Sequence, residues 1–136
     1  MKPFVLIVAF LASISTGGQA VHPTGEFPLS VSILQLIATP EKFDGKSIRV
    51  VGFLRVELEG DALYLHKEDY DHHIYKNSLW VDLDPTTRED AVGLNMQYVY
   101  LIGTFDARNK GHRSMMSGSL HQIKGLMAWP PEHGKE

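Results

Sequence analysis

The sequence predicts a mainly β fold: a small five-stranded barrel with one N-terminal helix and a short helical insertion. Three observations predict it. From Lys46 onward apolar residues recur at every second position, the period of a half-buried strand. Turn signals at Asp44-Gly45, Glu59-Gly60-Asp61 and Asp106–Gly111 break the alternating runs. The chain has 136 residues, 43% hydrophobic and 21% charged, which is the length and composition of one globular domain.

The elements follow in order. Met1–Ala20 begins with Lys2, continues as an apolar run from Phe4 to Ile14, and ends in Gly18-Gln19-Ala20. This is the pattern of a secretory signal peptide, and the run is too short for a spanning helix, which needs about 20 apolar residues. Cleavage after Ala20 would remove one charge, Lys2, from a chain of 13 basic and 16 acidic residues. The expectation is an exported protein, periplasmic or secreted, with no membrane span after processing. Residues 21–29 bear proline and glycine and read as a flexible lead-in. Ser30 reads as a helix N-cap, with Leu29 and Leu34 as a hydrophobic staple, for a helix over Val31–Ala38. Pro40 disfavours helical geometry at Thr39, and Glu41-Lys42-Phe43 can add a turn.

The first strand runs from Lys46 to Leu58, with Ile48, Val50, Gly52, Leu54, Val56 and Leu58 on one side. Gly52 inside it suggests a bend or bulge. Ala62–His66 is the second strand, Lys67–Asn77 a short helix or loop, and Ser78–Leu83 the third strand. Asp84-Pro85 opens a connection through Asn95 with room for a helical turn. Met96–Phe105 is apolar on both sides and therefore central. Gly118–Met127 is the last strand, Trp129-Pro130-Pro131 ends the domain, which spans 30–130, and 131–136 is a polar tail.

Five strands in this order suit a closed or partly closed barrel of the oligonucleotide/oligosaccharide-binding (OB) type, which leaves few edges exposed. An open five-stranded sheet with a packed helix is the alternative. The stretches Pro40–Gly52, Leu63–Leu83 and Tyr98–His112 resemble small exported bacterial OB-fold-like proteins with no assigned activity. The resemblance covers most of the chain after residue 20 and implies the fold and export.

Composition removes several functions. Without cysteine there is no disulfide, thiolate metal site, cysteine nucleophile or lipid attachment at a cysteine. A net charge of −3 argues against a nucleic-acid partner. No GxSxG elbow, phosphate-binding glycine loop or HExxH spacing occurs, so no catalytic residue is assigned and no cofactor is expected.

Two polar loops carry the remaining candidates. The Lys67–Asn77 insertion offers Glu68, Tyr70, Lys76 and Asn77, and Trp80 follows on the next strand. The Asp106–Ser117 loop offers Arg108, His112 and Arg113, suited to clasping an anion. The competing uses are structural: Asn77 as a turn residue with positive φ, Lys76 in an ion pair with Glu68 or Asp69, and solvated loop charges. Tyr64, Trp80, Tyr98 and Tyr100 make either an aromatic binding face or a second core layer under the helix. His66, His72, His73 and His112 could hold zinc, copper or nickel, against the plainer reading of exposed loop histidines.

The functional expectation is an exported, non-catalytic module that binds a protein, peptide or glycan in the cell envelope through these loops. A histidine-based metal-binding protein or metal-dependent hydrolase is the alternative. An accessory or inhibitory subunit is a third.

Overall fold

The computed structural model describes residues 27–131. The segment expected to be a signal peptide, most of the lead-in with His22, and the tail from residue 132 with His133 lie outside the described residues. Within them the elements are β1 (Leu29–Ser30), α1 (Ile33–Ala38), β2 (Ser47–Arg55), β3 (Ala62–Tyr64), α2 (Lys67–Asp71), β4 (Ser78–Val81), α3 (Pro85–Gly93), β5 (Gln97–Asp106) and β6 (Ser119–Ala128).

The sheet order is β1-β2-β3-β4-β6-β5, and β5 also pairs with β2, so β2 to β6 close into a five-stranded barrel. The β4–β6 pair is parallel and the other barrel pairs are antiparallel. The architecture is consistent with a small OB-like barrel, as the alternation predicts. β2 carries the closure. It pairs with β5 from Ser47↔Thr104 to Leu54↔Gln97, and its end pairs with β3 through Phe53↔Tyr64 and Arg55↔Ala62.

The inward rows form the core. Ile48, Val50, Leu54, Leu63, Leu79, Val81, Val99, Leu101, Phe105 and Leu120 are buried, joined by Ile33 and Leu36 of α1 and Ala91 of α3. Gly52 lies in this row because nothing larger fits. A Cβ there would stand 2.7 Å from Leu63 Cγ and from the Tyr64 carbonyl oxygen, and 2.8 Å from Ile33 Cδ1. The β2–β5 register runs unbroken past Gly52, so of the expected bend or bulge there is no bulge in that pairing, and the glycine marks a close approach. The irregularity is instead in β6, opposite Ile102–Thr104, where Gln122 takes φ 50°.

Other local readings need correction. The N-cap of α1 is Ser32, not Ser30. Ser32 and Gln35 form a capping box: Ser32 N–H donates to Gln35 Oε1 at 2.8 Å, and Gln35 N–H donates to Ser32 Oγ at 3.2 Å. Leu29 and Ser30 belong to the sheet, in β1, paired parallel with Ile48 and Arg49 of β2. The later start turns Leu34 to solvent. Leu58, expected to face inward, is 99% exposed because β2 ends at Arg55. A nine-residue helix, α3, fills the connection after β4. Asp84 caps it, accepting the Thr86 and Thr87 N–H groups at 3.0 Å, and Pro85 takes the first helical position. Only Ala91 of this helix is buried, so it has no apolar stripe for periodicity to detect.

Replacing Gly52 by Ala should destabilise the barrel by about 1–3 kcal/mol, the usual cost of overpacking. Part of the obstacle is β3 backbone, which cannot rotate away. Urea unfolding of the variant checks this; an unchanged midpoint would show that β3 can recede.

Candidate functional site

The outer face of the barrel carries a second apolar layer. Phe53, Ala62, Tyr64 and Met116 are buried there, with Tyr70, Tyr75 and Trp80 packed around them. The Lys67–Asn77 insertion covers it. Tyr70 of α2 sits 6.1 Å from Phe53 and 5.6 Å from Tyr64, ring centre to ring centre, and Arg55 stacks on its ring at 5.5 Å. Buried Asp69 holds the insertion closed by accepting His66 N–H at 3.0 Å and Asn77 Nδ2 at 2.8 Å. At the start of α2, Lys67 N–H donates to the Tyr98 hydroxyl at 3.1 Å.

The β5–β6 loop is built just as locally. Asp106 accepts the N–H groups of Arg108 and Asn109 at 2.8 and 3.1 Å, which hold its carboxyl below the usual carboxylate range. Asn109 Oδ1 then accepts Gly111 N–H. Gly111 has φ 67°, and a Cβ on it would lie 2.6 Å from Trp80 Cε3. Glycine therefore lets the loop lie directly on the indole. Gly60 of the β2–β3 loop also comes up to the edge of the Trp80 ring. That loop is tied by buried Asp61, which accepts Glu57 N–H at 3.0 Å and pairs with Arg88 of α3; Arg88 also donates to the Glu57 carbonyl.

Trp80 thus stands between two loops, and a cleft of about 150 Å³ opens there. Glu57 and Glu59 line it from the β2–β3 loop, Tyr64 and Trp80 from β3 and β4, Tyr75 from the insertion, and His112, Met115 and Met116 from the β5–β6 loop. Tyr75 and Met115 also border an adjoining open groove of about 580 Å³, lined by His73, Ile74, Lys76 and Ser114. The insertion and the β5–β6 loop, far apart in sequence, are stitched together here. Lys76 Nζ donates to the Ser114 carbonyl at 3.3 Å, and Ser117 Oγ donates to the Lys76 carbonyl at 2.6 Å.

The expected site residues divide. Trp80 and His112 line the cleft, and Lys76 lines the groove. Tyr70 lies in the supporting aromatic layer. Asn77 is structural, bonded to Asp69, and the positive φ belongs to His73 instead. Lys76 reaches Ser114, not Glu68 or Asp69. Glu68 and Arg113 are exposed and line neither cavity. Arg108 is exposed too, 3.8 Å from Asp44, so the loop cations do not converge on an anion site. His66 and His72 flank α2, His73 stacks on Tyr75, and His112 is across the cleft. Among the described residues no three His, Asp or Glu side chains gather where they could hold a metal ion.

Sequence reasoning missed Glu57, Glu59, Tyr75, Met115 and Met116. The adjacent Met115-Met116 pair inside a polar loop was the available signal. It also missed a second groove of about 440 Å³ between α1, β2 and β5, where Arg49 stacks on Tyr100 at 5.7 Å beside Trp129. The aromatic row is split accordingly: Tyr64 and Trp80 form a layer under the insertion, not under α1, while Tyr98 and Tyr100 are partly exposed. No known family model matches the chain, and no curated protein is detectably similar to it.

Burial pushes the Tyr64 phenol up from 10.0 to about 12, with smaller contributions from Tyr75, Glu57 and Tyr70 that outweigh the pull of Arg55. A raised phenol pKa means the folded state keeps a proton that the unfolded chain releases. Stability from Tyr64 is therefore complete below pH 10 and declines as the pH rises from 10 toward 12. Phenolate absorbance should show a component at about pH 12 that Tyr64→Phe removes; an unchanged titration in that variant would refute the assignment.

Proposed function

We propose that this protein is an exported binding module that takes an extended peptide segment of a partner protein across the groove and into the Trp80 cleft. One observation carries the reading: two loops and an insertion, each locally braced, converge on a concave surface of aromatic and methionine side chains on the barrel flank. The lining of β3, β4, the β2–β3 loop and the β5–β6 loop is also where barrels of this type place ligands. Aromatic and methionine side chains are the residues that concentrate binding energy and adapt to varied partners. The exposed surface of the groove is mainly apolar although His73, Tyr75, Lys76 and Ser114 stand along it, which favours a peptide over a glycan, whose hydroxyls need many polar partners. Export rests on the charged, apolar and small-residue pattern of Met1–Ala20.

Selection of a random peptide library on the protein without its first twenty residues tests the reading. Enriched peptides should bind in solution. Ile74→Glu should weaken them about tenfold or more while leaving the unfolding midpoint unchanged, because Ile74 is an exposed wall of the groove. A library with no enrichment would refute it. Glycan-array binding that survives Ile74→Glu would replace it with a carbohydrate function.

A further inference from the structure

We propose that the Trp80 cleft recognises the charged side chain of a lysine or arginine on the bound segment; this rests on the peptide-binding reading above. The cleft joins the two kinds of group that a desolvated cation needs. Tyr75 and Trp80 bring partly exposed aromatic rings over the buried Tyr64, and Glu57 and Glu59 bring carboxylates on the β2–β3 loop beside them. No lysine or arginine lines it.

The carboxylates are available. Among the described residues Glu59 makes no ion pair or side-chain hydrogen bond, and Glu57 is engaged only through Oε1, by Arg55 Nε at 2.8 Å. The chain already makes the same arrangement once within itself. The Arg55 guanidinium lies over the Tyr70 ring and donates to Glu57, so a cation between an aromatic face and a glutamate is a stable state of this surface. The cleft next to it repeats the combination with the cation missing from its own side chains.

The cleft is a partly open space of about 150 Å³, large enough to take the end of a basic side chain. The adjoining groove differs. It is lined by Ile74 and Met115, and Lys76 stands in it with its ammonium on the Ser114 carbonyl. A second cation would be repelled there, so the basic residue belongs in the cleft and an apolar neighbour in the groove.

The probes are blocked octapeptides of alanine and leucine with one central residue: lysine, arginine, acetyl-lysine, norleucine or glutamate. Trp80 and Trp129 are the two tryptophans, so a Trp129→Phe variant makes emission report the cleft. The Trp80 indole N–H resonance of the unsubstituted protein provides a second readout. Lysine and arginine peptides should bind at least tenfold more tightly than the acetyl-lysine and norleucine peptides. Glu59→Gln should bring lysine and arginine binding down toward the level of the norleucine peptide. Equal binding of lysine and norleucine peptides, or a preference that survives Glu59→Gln, overturns the inference and leaves the peptide-binding reading standing. Failure of every peptide, in this series and in the library selection, removes that parent reading as well.

Discussion

Closure of the barrel through β2 is the constraint on which the rest depends. This strand pairs with β5 on one side, and with both β1 and β3 on the other. Its neighbours can approach that closely only because Gly52 carries no side chain where Leu63, the Tyr64 carbonyl and Ile33 meet. The same contact brings α1 onto the core, so helix docking and barrel closure are one packing event. A chain without cysteine has no covalent means of holding such a junction. Shape at one residue does that work.

Closure also decides what happens outside. Once Ile48, Val50 and Leu54 face inward, Phe53 must face outward, since strand side chains alternate. An outward phenylalanine beside Tyr64 would leave a large apolar patch in water. The Lys67–Asn77 insertion removes it by laying Tyr70 on both rings. Covering that patch places Tyr75 and Ile74 at the rim, next to Met115 of the other loop. The cleft is the uncovered remainder of the second apolar layer, which is why Tyr64, Tyr75, Trp80 and Met116 line it.

The strands were legible because alternation is a local property. Ile48, Val50 and Leu54, and likewise Leu79 and Val81, declare their inward side within a few residues. α3 was hidden because a helix with one buried residue has no apolar stripe, although Asp84-Pro85 spelled its start. Ser30 and Ser32 are equally good caps by residue type, and the choice between them fell to β1 pairing, a long-range event. The site was half visible. The two loops could be named from polarity, and Trp80 and His112 from residue type. Glu57 and Glu59 could not, because the hairpin that carries them reaches the cleft only through barrel closure and the Asp61–Arg88 pair. Arg108 and Arg113 attract notice in the sequence, and the folded loop, with its turn at Asp106 and its seat on Trp80, leaves them exposed and outside the cleft.

The bracing of these loops bears on how the surface can bind at all. A segment that must be ordered when a ligand arrives subtracts its lost entropy from the affinity. Here Asp61 with Arg88 fixes one wall, Asp69 with Asn77 the second, and the Asp106 and Asn109 turns the third. Each brace uses a side chain that faces neither the cleft nor the barrel core. The lining residues are therefore free of structural duty in proportion to their exposure: Glu59 and Ile74 hold nothing together, whereas Tyr64 and Trp80 do. Ligand preference can thus be set by exposed positions at the rim while the aromatic floor stays fixed. A small barrel in which one layer closes the fold and another carries the groove keeps those two demands largely on separate residues; among the described residues Tyr64 and Met116 are the buried ones that also line the cleft.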